Sequence, residues 1–171
     1  MSRFKSNGKV NTSMEFDSKL QRKIMGRFAT GVTVVTTAGN GGMGGLTANA
    51  VASLSLDPPL VLVAVDKRAG SHPEIKENGC YAMNILAADQ EEISRRFATP
   101  GPKDFSGLKW KAVVTGAPVF EGALGFVDCR LREILPGGDH DIFIGEIVAG
   151  DATDDGQPLL YFSGKYRQLA E

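Results

Sequence analysis

The chain has 171 residues, of which 42% are hydrophobic, and its 19 basic and 20 acidic side chains give a formal net charge of −1. A chain of this length buries most of its apolar surface unaided. Its balanced charge lacks the basic field that nucleic acids and anionic membranes require. We therefore expect one soluble domain over residues 17–171, preceded by a flexible arm over residues 1–16, with neither nucleic acid nor a membrane as partner.

The first residues are polar and lack the apolar core of a signal peptide, and no apolar run approaches the roughly 20 residues of a membrane span. This indicates a cytoplasmic protein. Cys80 and Cys129 lie far apart in apolar segments, which is typical of buried, reduced thiols. The two histidines, His72 and His140, have no cysteine or carboxylate cluster beside them at metal-ligand spacing, so we expect no metal site.

In chain order, the first predicted element is a helix that begins after Asp17 or Ser18 and ends at Gly31. Its apolar face consists of Leu20, Ile24 and Phe28. A glycine-rich turn is predicted over residues 38–45, and Asp57, Pro58 and Pro59 indicate a second turn. Strands are predicted over residues 32–37, 46–56 and 60–66.

Two short helices come next in the prediction. The first begins with Ser71 as its N-cap and ends before Gly79, and the second covers residues 89–98, where Asp89 and Glu92 have capping-box spacing. The strands are many and short and do not alternate with helices, which favours a mainly antiparallel barrel with peripheral helices over a doubly wound sheet. The remaining predicted strands lie within residues 80–86, 113–116, 123–135, 140–150 and 158–169.

A glycine motif must be separated from a known fingerprint. Gly39, Gly41 and Gly44 match the G-x-G-x-x-G pattern of dinucleotide-binding proteins, and Asp66 follows at about the expected distance. That fingerprint requires a helix directly after the glycines, because the helix N-terminus binds the pyrophosphate. The residues that follow alternate with a two-residue period, which indicates a strand. We therefore interpret the glycines as a hairpin loop.

Residues 45–59 have the sequence GLTANAVASLSLDPP, in which polar and apolar positions alternate. On a single strand, the alanines and leucines would share one face and the polar residues would share the other. A solvent-facing strand more often carries lysine, glutamate or arginine. Short hydroxyl and amide groups instead indicate a flat ligand lying against the chain. The polar positions are Thr47, Asn49, Ser53 and Ser55.

Several segments carry a family resemblance through their order and spacing, and the most specific are TANAVASLSLDPP at residues 47–59 and GDH at residues 138–140. Others are MGRFATGVTVVTT, SRRFA, GDHDIFIGEI and PLLYFSGKYRQL. Together they resemble the flavin reductase-like family over about residues 20–169. One departure is visible, because the family often has Ser-Phe where this chain has Ala50 and Val51.

The resemblance implies the flavin-binding split barrel as the fold and a homodimer as the assembly. It further implies an NAD(P)H:flavin oxidoreductase, in which NADH or NADPH reduces FMN or FAD. Within the family, the chain is most similar to the small reductase components of two-component flavin-dependent monooxygenases, which release reduced flavin to a separate oxygenase. No cysteine or histidine indicates covalent attachment, so we expect the flavin to be a substrate or a loosely held cofactor.

The resemblance and the residue types together predict the flavin site. Amide hydrogen bonds and small neighbours suit the isoalloxazine ring, and the segment around residues 47–55 offers both. The phosphate needs donors and positive charge, for which we favour Lys67, Ser71 and Lys103, with Arg68, Arg95 and Arg96 as further candidates. Phe97 is expected to pack on the ribityl chain or the ring. The predicted cofactor-binding residues are Thr47, Ala48, Asn49, Ala50, Ser53, Ser55, Asp66, Lys67, Arg68, Ser71, Phe97, Lys103 and His140.

His140 is the predicted catalytic residue. It follows two glycines and lies between Asp139 and Asp141, where the resemblance implies a histidine that contacts nicotinamide. Its expected role is to orient the nicotinamide carboxamide by hydrogen bonding, with proton supply to reduced flavin as a second possibility. Hydride transfer needs no protein nucleophile, because the two rings need only stack within about 3–3.5 Å in the right orientation.

Two other functions are compatible with the same sequence features. One is a flavin-binding redox module without reductase turnover, and the other is an oxidase similar to the pyridoxamine-phosphate oxidases. A split barrel hosts several functions, so the fold alone does not separate them. The GDH segment favours flavin reduction by NAD(P)H.

Overall fold

The computed structural model describes residues 16–169, so most of the predicted N-terminal arm lies outside the described residues. The helices are α1 (Ser18–Met25), α2 (Ser71–Asn78) and α3 (Glu91–Ala98). The strands are β1 (Thr30–Gly31), β2 (Thr33–Gly39), β3 (Gly42–Ala48), β4 (Val51–Leu56), β5 (Pro59–Asp66), β6 (Cys80–Ile85), β7 (Trp110–Lys111), β8 (Val119–Phe120), β9 (Gly125–Gly137), β10 (His140–Ala152), β11 (Leu160–Phe162) and β12 (Lys165–Arg167). No helix in this part of the chain is long and apolar enough to cross a membrane.

Seven of the strands form one sheet in the order β3-β2-β6-β9-β10-β5-β4. Every neighbouring pair in this sheet is antiparallel. Two small sheets, β1-β11-β12 and β7-β8, lie outside it. The predicted antiparallel, mainly β architecture with peripheral helices is thereby confirmed.

The connection between β3 and β4 makes the large sheet curl. The two strands are opposite edges of the sheet, yet Asn49 and Ala50 alone connect them. Seven flat strands would place the edges about 29 Å apart, whereas three Cα–Cα steps reach at most about 11 Å. The sheet therefore closes toward a barrel that stays split between its edges. The predicted single strand over residues 46–56 is wrong, because two-residue alternation continues across this break.

The interior of the curled sheet is filled by one apolar cluster. Tyr81 and Phe143 are its largest fully buried side chains, and α2 contributes Ile75 from outside the sheet. The tyrosine ring lies against β10 at Gly145, where a Cβ atom would be 2.7 Å from the ring carbon Cζ and 2.8 Å from the Cβ atom of Cys129. Close packing of this kind leaves no room for an added methyl group.

A second cluster attaches α3 and the following segment to the outer face of the sheet. Phe97 of α3 meets Phe105 and Phe120 edge to face, with ring centroids 5.1 and 5.4 Å apart. Val34 of β2 and Leu159 join this cluster. T-shaped aromatic pairs of this kind add to the free energy gained from burial. The position of α3 is thus fixed by apolar packing.

Several local expectations change in the structure. Asp17 is the N-cap of α1 and accepts from the Leu20 amide at 2.7 Å, as predicted, but the helix ends at Gly26 rather than at Gly31. Phe28 therefore lies outside the helix, with 69% of its surface exposed. The small exposed helix has no buried residue to extend it, so the apolar spacing over residues 20–28 does not correspond to a packed face.

The second and third helices keep their positions but not their predicted caps. Gly79 ends α2 in the left-handed conformation expected of it, with φ of 66°, whereas Gly70 rather than Ser71 occupies the N-cap position. Before α3, Asp89 lies in a short 3₁₀ turn and does not cap the helix. Instead, the side chain of Gln90 accepts from the backbone amide of Ala87 at 3.0 Å.

The predicted strand over residues 113–116 is wrong. A buried carboxylate, that of Asp128, accepts from the amides of Val114 and Thr115 at 2.8 and 2.9 Å. These bonds satisfy the backbone without a neighbouring strand. The glycine hairpin is confirmed, although its strands extend further than expected, so that the turn consists of Asn40 and Gly41. Both cysteines are free and buried, as predicted.

We predict that Gly145→Ala lowers the free energy of unfolding by about 1–3 kcal/mol, because the new methyl group overpacks the interior against Tyr81 and Cys129. Urea denaturation measures this change. Gly31→Ala is the matched control, since a Cβ atom there meets nothing within 4 Å. Equal stability of the two variants would show that the barrel interior yields at this point.

Candidate functional site

A cleft of 470 Å³ opens at one end of the barrel, between β3, the segment after β5 and the segment after α3. It lies where the two edges of the sheet approach each other, so its walls come from distant parts of the chain. Backbone of Gly45 and Gly101 contributes small surfaces to it. The predicted cofactor-binding residues that line the cleft are Thr47, Asp66, Arg68, Ser71, Phe97 and Lys103.

An ion pair forms one rim of the cleft. The guanidinium of Arg68 donates to both carboxylate oxygens of Asp66, with Nε–Oδ1 at 3.1 Å and Nη2–Oδ2 at 2.7 Å. These hydrogen bonds hold the pKa of Asp66 well below its usual range and raise the pKa of Arg68. The aspartate therefore stays ionised and offsets much of the positive charge of the arginine.

Lys103 provides a second cation on the cleft wall. Its ammonium donates to the carbonyl oxygen of Thr99. Burial lowers the pKa of Lys103, and the nearby Glu74 opposes that shift. Burial likewise raises the pKa of Glu74. A cation in a partly desolvated position interacts more strongly with a bound anion than one fully in water, which suits Lys103 to a phosphate group.

Two predicted ligands serve mainly as parts of the wall. The Ser71 hydroxyl is buried and donates its proton to the carbonyl of Gly45 at 2.5 Å. That proton is therefore not available to a phosphate oxygen. Phe97 is 1% exposed and packs on Gly45, where an added Cβ atom would lie 2.9 Å from its ring. The two side chains hold β3 in place along the cleft.

A smaller pocket of 180 Å³ adjoins the cleft at Thr47 and contains the predicted Ala48 and Asn49. The Thr47 hydroxyl donates to the carbonyl of Ser94 at 2.6 Å, and the Asn49 amide donates to the hydroxyl of Thr30 at 3.1 Å. The small side chains leave the backbone of β3 open to a flat ligand, as the sequence pattern predicts.

The same pocket includes two aromatic residues that the sequence reasoning did not select. Tyr161 and Tyr166 lie edge to face with ring centroids 5.5 Å apart, and the Tyr166 hydroxyl is 2.8 Å from that of Ser94. Pairing of β1 with β11 brings them there. Their only sequence signal is the strand pattern of residues 158–169, which gives no hint of the long-range pairing.

Other predicted residues lie outside the cleft. Ala50 follows Asn49 on the exposed connection to β4. A bulge in β4 pairs Ser53 with Val61 and Ser55 with Leu60. Leu60 is about 20 Å along β5 from Asp66 at the cleft, so the structure does not bring Ser55 to the other candidates within one chain. Their cofactor-binding role stays a prediction.

His140 lies beside the cleft rather than in its wall. It begins β10 and pairs with Asp66 in the antiparallel register of β10 and β5. Its Nδ1 atom is 2.8 Å from the Asp139 carboxylate, which leaves Nε2 for another partner. The His140 side chain is 40% exposed and can therefore reach a ligand that enters the cleft. Lys67 points toward the turn before His140, where its ammonium donates to Gly138.

A split barrel with a cleft of small polar groups and cations at the meeting edges defines a class of protein that binds a flat anionic cofactor. A family model described as a flavin reductase like domain matches residues 25–170. The chain belongs to this family. The predicted split barrel and the predicted class of NAD(P)H:flavin oxidoreductases are thereby confirmed.

Individual relatives agree with the family assignment. The chain is 43% identical to an NADH-dependent flavin reductase of a Rhodococcus species, over 86% of this chain and 84% of that protein. It is 35% identical to the reductase subunit of a flavin-dependent monooxygenase of Rhodococcus jostii, over 88% and 77% of the two chains. The solved flavin reductase component of a bacterial two-component tryptophan halogenase superposes with a TM-score of 0.85, at 39% identity over 91% of this chain and 99% of that one.

Proposed function

We propose that this protein uses NADH to reduce free flavin and supplies the reduced flavin to a separate oxygenase. The supporting observation is the cleft at the meeting edges of the barrel, with the open backbone of β3 on one side, Lys103 on another and His140 at its rim. The relatives add support, because they are named as NADH-dependent flavin reductases and as a monooxygenase reductase subunit.

The residues present fit a flavin. Thr47 and Asn49 offer short polar groups beside the exposed backbone of β3, which suits the polar edge of an isoalloxazine ring. Lys103 and Arg68 line the wider cleft and suit its phosphate. When bound, the flavin supplies the ring that accepts a hydride from the reduced nicotinamide. The protein residues bind and orient the two ring systems.

His140 is the residue that we propose for the nicotinamide. Asp139 holds its Nδ1 atom, so Nε2 faces solvent at the rim and can hydrogen-bond the carboxamide. This contact fixes the angle and distance of the hydride donor relative to the cleft. Positioning of this kind is the main catalytic device for a reaction without a protein nucleophile.

We also propose that the protein is a cytoplasmic homodimer. Edge strand β4 carries two exposed leucines, Leu54 at 45% and Leu56 at 90%, and the outward residues of neighbouring β5 are half-buried. Exposed apolar side chains on an edge strand usually mark an interface. A two-fold interface here would cover both strands at once. Recovery of the native protein in a membrane or extracellular fraction would contradict the cytoplasmic location.

The first experiment measures NADH oxidation with and without added FMN or FAD. We expect turnover to depend on added flavin, and the bound flavin to separate from the chain on denaturation. Flavin binding without NADH oxidation would favour a redox module, and oxygen-dependent turnover of a pyridoxamine phosphate without NADH would favour an oxidase. Yellow colour that stays with the denatured chain would contradict loose binding.

We predict that His140→Ala lowers kcat/KM for NADH about tenfold, equivalent to roughly 1.4 kcal/mol, because one hydrogen bond to the hydride donor is lost. The Kd of FMN should stay nearly unchanged. Steady-state kinetics and flavin titration measure the two quantities. Asp154→Ala, an exposed change at the far end of β10, is the control. Unchanged turnover of His140→Ala, or equal damage to flavin binding, would remove His140 from the nicotinamide site.

For the assembly, we expect sedimentation equilibrium at micromolar concentration to give a dimer. Leu56→Glu should shift the chain toward monomer, because a charge would be buried in the interface. Glu121→Gln, an exposed change away from β4, should leave the dimer intact. A flavin-bound wild-type monomer under these conditions would refute the proposed homodimer.

A further inference from the structure

Lys67 lies between two cleft residues in sequence, yet its contacts face away from the cleft. Its ammonium donates to the carbonyl of Gly138 at 2.7 Å, and its backbone amide donates to the carbonyl of Asp139 at 3.1 Å. Both acceptors belong to the turn that leads into His140. One residue of the segment after β5 therefore holds two successive carbonyls of the β9–β10 turn.

The ammonium of Lys67 has a further partner in Asp141. The Nζ–Oδ1 distance is 3.4 Å, and the other carboxylate oxygen of Asp141 is 2.8 Å from Nε2 of His72. His72 in turn packs edge to face on the fully buried Phe143, with centroids 5.1 Å apart. The hydrogen bonds from His72 and Lys67 lower the pKa of Asp141. The lysine is thus connected through an ionised carboxylate to the barrel core.

The turn itself needs such support. Gly138 has φ of 75°, a conformation in which glycine brings no side chain that could pack. The side chain that hydrogen-bonds His140, Asp139, is 82% exposed, so it holds the imidazole only loosely. The backbone of the turn therefore decides where the imidazole lies relative to the cleft.

We propose that Lys67 is a positioning residue for His140 and does not bind the flavin phosphate. An ammonium has three donors, and two directions are taken by Gly138 and Asp141. Reaching a phosphate would break these contacts and release the turn. This inference rests on the proposed function, since it assigns the role of Lys67 within the nicotinamide contact of His140.

The decisive variant is Lys67→Met, which keeps the length of the side chain and removes its charge and donors. We expect kcat/KM for NADH to fall about tenfold, as for His140→Ala. We expect the ratio of the Kd of riboflavin to the Kd of FMN to stay at the wild-type value, because riboflavin differs from FMN by the phosphate alone. Lys103→Met is the matched control, and there this ratio should fall.

A double mutant separates positioning from a general structural effect. Combined with His140→Ala, Lys67→Met should cause no further loss in kcat/KM, because both changes act on one contact. Additive losses would overturn the inference, and so would a fall of the riboflavin-to-FMN ratio in Lys67→Met. If Lys67→Met does not fold, Asp141→Asn removes the charge that holds the ammonium and should show the same pattern. A wild-type protein without NADH:flavin activity would instead refute the proposed function.

Discussion

The two-residue connection between β3 and β4 is the constraint on which the rest of the structure depends. Asn49 and Ala50 join the opposite edges of a seven-stranded sheet, so the sheet has to curl until its edges lie close together. The carbonyl of Ala50 accepts from the amide of Ala64 at 2.9 Å and fastens the connection to β5. The curl brings the end of β3 near the end of β5, and the cleft lies between them.

The cleft keeps its shape because residues with polar or aromatic side chains are used as wall. Ser71 at the start of α2 and Phe97 of α3 both meet β3 at Gly45, one through a hydrogen bond and the other through packing. A larger residue at Gly45 would push both helices away. The backbone of β3 thereby stays straight and open at Thr47, where a flat ring system can approach it.

Charged residues at this end of the barrel mostly hold loops to one another. Arg68 pairs with Asp66, and Asp141 pairs with both Lys67 and His72. Each aspartate has its pKa lowered by these partners, so the network persists at neutral pH. Fixed loops suit a reaction whose rate depends on the relative orientation of two bound rings. The site thus separates a flavin cleft from a nicotinamide contact that the turn before His140 presents.

The sequence by itself determined the antiparallel strands, the glycine hairpin, the family, and most of the residues around the cleft. These depend on local features, such as alternation in β5, the left-handed Gly79, and the small polar side chains near Thr47. The tertiary structure alone decided that residues 46–56 form two edge strands, that Tyr161 and Tyr166 reach the pocket, and that the Ser71 proton and the Lys67 ammonium are engaged within the protein. The physical reason is that the partners of these groups are far away in sequence: Ser71 bonds Gly45, and Lys67 bonds Gly138. A local pattern predicts which side chains can bind, and the long-range contacts determine which of them are already occupied.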